Sequence, residues 1–123
     1  MKNLCLISLI FILIITGCGS NSNKNFNSDG TISYMYAKEL VINNGAILVD
    51  LDTKDVFDSS HIDGSISMPI NNISEDSASK NFTDSNNIII VYSSNGNNDE
   101  GISKLKKLGY KNIYDLGKSD NWK

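Results

Sequence analysis

Two runs of the chain constrain its fold more than any others: "AILVDL" at residues 46–51 and "IIIVY" at residues 88–92. Both are rich in β-branched side chains, and neither alternates apolar with polar positions. A strand with one face in water alternates; one that does not is buried on both faces, as in a parallel sheet with helices above and below. The stretches between fit that plan. Residues 36–43 carry apolar side chains at helical spacing and stop at Asn43-Asn44-Gly45, and residues 54–60 read as a short helix carrying Val56 and Phe57 inward. Residues 99–108 place Ile102, Leu105 and Leu108 on one stripe before Gly109. Asp99 and Glu100 open that helix and Lys104, Lys106 and Lys107 close it, which suits the helix dipole. Ile32-Ser33-Tyr34, residues 65–68 and residues 112–116 read as further strands. The polar stretch 72–83, with Ile73, Ala78 and Phe82 thinly spaced, reads as a weak helix or a loop. The expectation is an α/β domain whose mostly parallel sheet of about five strands is covered by helices on both faces.

A chain of 123 residues can bury one modest core, and that core is expected within residues 31–123. Ahead of it, Lys2 precedes an almost unbroken apolar run at residues 4–15. A bilayer span needs about 20 apolar residues, so the run suits a signal-peptide core instead. Ile15-Thr16-Gly17-Cys18 ends it and resembles the bacterial lipobox, which implies cleavage after residue 17 and a lipid on the sulfur of Cys18. Residues 18–30, including "GSNSNKNFNSDG", have almost nothing to bury and read as a flexible tether with a reach of roughly 20 Å. The expected product is a lipid-anchored domain on the extracytoplasmic face of a bacterial membrane.

The stretch "ILVDLDTKDVFDSSHIDGSISMPI", residues 47–70, resembles the first signature of rhodanese-like domains: a strand ending in an Asp, a short helix, a His-Ile-x-Gly turn and a small strand closed by Pro. Asp50, Thr53, Phe57, His61, Ile62, Gly64, Ile66 and Pro69 match without a gap. "IIIVYSSNGN" resembles the family's strand and catalytic loop, "LKKLGYKNIYDL" its helix and last strand, and Trp122 the Trp of its closing segment. The resemblance spans about residues 31–123 and implies the family's three-layer fold.

The resemblance also implies a chemistry that these residues lack. Active members of the family carry sulfane sulfur on a cysteine at the first position of a six-residue loop, whose backbone N–H groups cradle the anion and whose last residue is typically Arg. A thiolate forms a persulfide near neutral pH; a hydroxyl does not. Alignment from the strand puts Ser93 at the cysteine position and Asn98 at the Arg position, and alignment from the helix puts Tyr92 and Asn97 there. Cys5 and Cys18 are the only cysteines, and the chain has no arginine. Past the expected cleavage site, ten lysines face fourteen acids, a net charge of −4. Ser93, Ser94, Asn95, Gly96, Asn97 and Asn98 remain a candidate anion-binding loop through their N–H groups, with Asp99 and Glu100 competing beside it.

Serine catalysis at Ser93 would need a base and an oxyanion hole. His61 is the only histidine, the resemblance assigns it to a structural turn, and "SSNGN" is not a nucleophile elbow. Asp50, Asp52, Asp55 and Asp58 lie close in sequence but lack the glycine-bearing loop of a cation site, so they read as caps and solvated surface, and no metal or cofactor is implied. An acidic chain without a basic aromatic patch does not point to nucleic acid. The sequence thus reads as a membrane-anchored, rhodanese-like binding or scaffold module without a catalytic cysteine, with a neighbouring membrane or redox protein as the partner class. The alternatives are a sulfurtransferase-type enzyme that borrows a partner's thiol or uses an atypical loop, and a domain in decay.

Overall fold

The computed structural model describes residues 24–123; the expected signal peptide and Cys18 lie outside them. The elements run in the order α1 (Tyr34–Asn44), β1 (Ile47–Asp50), α2 (Lys54–Ser59), β2 (Ile66–Ser67), α3 (Glu75–Asn81), β3 (Ile88–Ser93), α4 (Asp99–Lys107) and β4 (Asn112–Lys118), with single 3-10 turns at Ile70–Asn72 and Ser119–Asn121. The four strands form one sheet in the order β2-β1-β3-β4, and every pairing is parallel.

Alternate residues of the two central strands feed two cores. Leu48, Ile90 and Tyr92 face Ala37 and Leu40 of α1, with Ile32, Ile62 and Leu116 around them. Val49, Ile89 and Val91 face Leu105 of α4 and Ala78 of α3, with Leu51, Met68 and Phe82. Burial on both faces is why these runs show no alternation. Four strands stand where about five were expected. Ile32 supplies only one backbone bond, its N–H to Asp115 O (2.8 Å), because Ser33 already caps α1 by accepting from the Tyr36 N–H at 3.2 Å. The folded body also begins before residue 31. Ser33 N–H donates to Asn25 O and Asn27 N–H to Thr31 O, each at 2.8 Å, while the Phe26 ring lies 6.0 Å from that of Tyr36.

Helix α1 stops at Gly45, whose φ of 68° is the left-handed cap that glycine adopts without strain. Helix α2 buries no side chain: Val56 is exposed, and Phe57 stacks on His61 with ring centroids 3.8 Å apart, so neither enters the core. The uncertain stretch 72–83 resolves into α3, nucleated by a reciprocal cap in which Ser74 and Ser77 satisfy each other's backbone N–H. In α4 the buried residues are Gly101 and Leu105, not the full expected stripe; Leu108 is exposed. Gly101 is small because a Cβ there would meet Leu51 Cδ1 at 2.6 Å. Among the described residues no helix is long and apolar enough to cross a membrane.

Candidate functional site

Strand β3 ends at Ser93, and the chain then loops through residues 94–98 into α4. The side chain of Ser93 is turned inward, leaving the residue 4% exposed. Its hydroxyl donates to Asn98 Oδ1 at 2.6 Å, with Asn95 Oδ1 a second acceptor at 3.0 Å, and its oxygen accepts from the Gly96 N–H at 3.1 Å. Asn98 is only 1% exposed. Its Nδ2 donates to Asp115 Oδ1 at 2.7 Å and to Gly117 O at 3.0 Å, tying the loop to β4. Asp115 Oδ1 also takes the Gly117 N–H at 2.8 Å.

A register shift makes that convergence possible. Val91 pairs with Asp115 but Tyr92 pairs with Gly117, so Leu116 is an extra residue in β4. The bulge, with Gly117 at φ 84°, brings the Asp115 carboxylate and the Gly117 carbonyl to the same amide group.

The loop's backbone donors are largely committed within the molecule. Ser94 N–H lies 3.1 and 3.0 Å from the two carboxylate oxygens of Asp52, and the Ser94 hydroxyl donates to the same group at 2.9 Å. Gly96 N–H goes to Ser93, and Asn97 N–H to Asn95 Oδ1 at 2.9 Å. An incoming anion would have to displace Asp52 from Ser94. An Arg at position 98 would have to occupy the buried place of an amide bonded on both sides. Sequence reasoning weighed Asp52 as a potential cation ligand and as the residue standing where the family commonly has Arg, not as the partner of Ser94, and it missed Asp115 and Gly117, whose roles follow from the bulge.

None of the loop hydrogen bonds described above reaches the other expected signature residues. Asp50 is 1% exposed on the α1 face of the sheet. Its Oδ1 accepts from the Asp52 N–H at 2.8 Å, whereas its buried Oδ2 has no hydrogen-bond partner. Burial raises its pKa to about 6, against the lowering effect of the Asp52 N–H. Tyr92 sits beside it and binds the signature turn: its oxygen accepts from the Ile62 N–H at 3.0 Å and meets Ser65 Oγ at 2.8 Å. Burial pushes the Tyr92 hydroxyl up to about 12. His61 ends α2, its Nδ1 2.7 Å from Phe57 O, and none of its hydrogen bonds reaches Ser93. Gly64 takes the turn with φ 86°, and Pro69 opens the following 3-10 turn. The described residues contain no group of three His, Cys, Asp or Glu side chains placed to hold a metal ion.

No curated protein matches this chain. Among solved structures, a Bacillus halodurans protein, BH2092, is 19% identical, with 99% of this chain and 80% of that chain covered at a TM-score of 0.64. The Alr3790 protein of Anabaena sp. is 19% identical over 73% of this chain and 74% of that one, with a TM-score of 0.63. A human single-domain sulfurtransferase, TSTD1, is 13% identical over 72% and 88%, with a TM-score of 0.58. At these identities the likeness is one of fold. The family model described as "Rhodanese-like domain" matches residues 33–123, which takes in every element from α1 to the final turn. The chain belongs to the rhodanese-like domain family.

Proposed function

We propose that this rhodanese-like domain does not transfer sulfur and instead acts as a binding or scaffold module, held by a lipid on Cys18 at the extracytoplasmic face of a bacterial membrane. The observation that carries the first part is the state of Ser93. Where the strand alignment puts the family's cysteine, the side chain is a buried hydroxyl, enclosed by Asn98, Asn95 and the Gly96 N–H. A hydroxyl cannot form a persulfide, and no cysteine follows residue 18 to replace it. What the loop offers outward is its rim: Ser94, Asn95 and Asn97 with Asp99 and Glu100, all exposed. Such a surface suits a partner with hydrogen-bonding and cationic groups.

The test is sulfur transfer from thiosulfate to cyanide by the purified protein, with and without an added low-molecular-weight thiol. Turnover is expected to equal the blank in both. Turnover that disappears in Ser93→Ala would make this a catalyst and overturn the reading. Turnover that needs the added thiol would favour an enzyme working with a partner's cysteine. The anchor is tested separately: Cys18→Ala should leave an uncleaved precursor in a bacterial host, and normal processing of that variant would remove the lipid from the proposal.

A further inference from the structure

The same loop holds one of the chain's two Asn-Gly pairs; the other is Asn44-Gly45. An asparagine followed by glycine is open to attack on its own side-chain carbonyl by the next backbone nitrogen, since glycine has no Cβ to obstruct the approach. Two things ordinarily slow this reaction. The amide nitrogen must lose its proton, and the carbonyl oxygen must accept negative charge.

At Asn95-Gly96 both groups are already engaged by one hydroxyl. Gly96 N–H, the nucleophile, donates to Ser93 Oγ at 3.1 Å. Asn95 Oδ1, where charge would develop, lies 3.0 Å from Ser93 Oγ, within reach of its proton once that proton turns from Asn98 Oδ1 at 2.6 Å, and it accepts from the Asn97 N–H at 2.9 Å. Ser93 therefore bridges the nitrogen that must give a proton and the oxygen that must take one, and Asn97 adds a second donor at that oxygen. Asn95 is exposed, so water can reach it. At Asn44-Gly45 the arrangement is opposite. Gly45 N–H donates to Leu40 O in the helix cap, and a carbonyl oxygen has no proton to pass on.

We propose that Asn95 is a site of self-catalysed deamidation, with Ser93 as the proton shuttle. A bond forms between Gly96 N and Asn95 Cγ. As it forms, the Gly96 proton passes to Ser93 Oγ and the Ser93 hydroxyl proton passes to Asn95 Oδ1, giving a neutral tetrahedral carbon. Collapse re-forms the carbonyl, returns the oxygen's proton through Ser93 to the departing Nδ2, and releases ammonia. Water then opens the resulting succinimide at either carbonyl, leaving aspartate or isoaspartate at position 95. The net change is amide plus water to acid plus ammonia, with no redox step. The product places a carboxylate in a loop already held by Asp52, and the isoaspartate form adds a methylene to the backbone within the Ser93–Asn97 hydrogen bonds.

The experiment is peptide mapping by mass spectrometry on the purified full chain during incubation at mildly alkaline pH, folded and in guanidinium chloride. Asn95 should convert on the order of tenfold faster in the folded protein than in the unfolded chain, while Asn44 should convert more slowly when folded. Ser93→Ala should remove the advantage at Asn95, and Ser93→Thr, which keeps a hydroxyl, should retain most of it. Protection of Asn44 in each variant reports that the variant is folded. Folded Asn95 converting no faster than unfolded Asn95, or at an unchanged rate in a folded Ser93→Ala protein, would overturn the proposal.

Discussion

Tyr92 and Ser93 are neighbours on β3, yet each anchors a polar cluster of a different kind. Tyr92 lies on the α1 face and bonds the signature turn through Ile62 and Ser65, next to a carboxyl group whose Oδ2 is buried and unmatched. Ser93 bonds Asn98, which in turn bonds β4. The Ser93 cluster consists of neutral amides and a hydroxyl, with one carboxylate, that of Asp115, which receives two donors. The Tyr92 cluster keeps an acid in a place that disfavours its charge. Satisfied networks fix geometry, whereas a buried acid short of donors makes local stability depend on its proton.

That contrast can be broken most severely at Asn98. Asn98→Ala removes the acceptor of the Ser93 hydroxyl and the donor to Asp115 and Gly117, leaving buried polar groups unmatched. A loss of about 3 kcal/mol is expected, read by chemical denaturation; a loss no larger than that of an exposed-site variant would mean that the amide is not structural. Next is Asp50. Its folded carboxyl keeps its proton to about pH 6, whereas the unfolded chain releases it near 3.8. The folded state then binds the extra proton between those values, so this group's contribution to stability falls as pH rises through the window and stays low above it. Asp50→Asn should erase the fall, gaining about 2 kcal/mol on the wild type between pH 4 and pH 7. A wild-type-minus-variant difference that does not change with pH would show that Asp50 is not the group responsible. Smallest is Tyr92→Phe, which leaves the Ile62 N–H without its acceptor while keeping the ring. About 1–2 kcal/mol should be lost, with the Asp50 pH window intact; loss of that window would merge the two groups into a single titrating unit.

The sheet was legible in the sequence because burial on two faces imprints itself directly on composition, as in residues 46–51 and 88–92. Helix α4 was legible from its charges and stop signal. The fifth strand was misread because one apolar residue, Ile32, looks like a strand but forms only an isolated bridge with Phe26 and one N–H bond to the Asp115 carbonyl before Ser33 starts a helix. Helix α3 was uncertain because its stability comes from the Ser74–Ser77 cap and two buried side chains, Ala78 and Phe82, set among polar residues. At the site, the place of the loop and its lack of Cys and Arg were plain in the sequence. The inward turn of Asn98 was not, since an asparagine before a helix ordinarily caps from the surface. Its partners depend on the extra residue in β4, a matter of register that no local pattern encodes.

The parallel pairing of all four strands also bears on how the chain reaches its fold. No hairpin joins any two of the four strands: Ile47 must find Ile89 and Ile88 must find Asn112 before either ladder can grow. Non-local pairing of this kind is slow to nucleate, because loops must close before any contact rewards them. During that interval Ile88, Ile89, Ile90 and Val91 form an uncharged, proline-free β-branched run, the sort of segment that pairs with copies of itself. The strand at the centre of the finished sheet is thus the segment whose exposure most endangers the unfinished one, and α4 and β4, which follow it in the chain, remove the hazard by covering it.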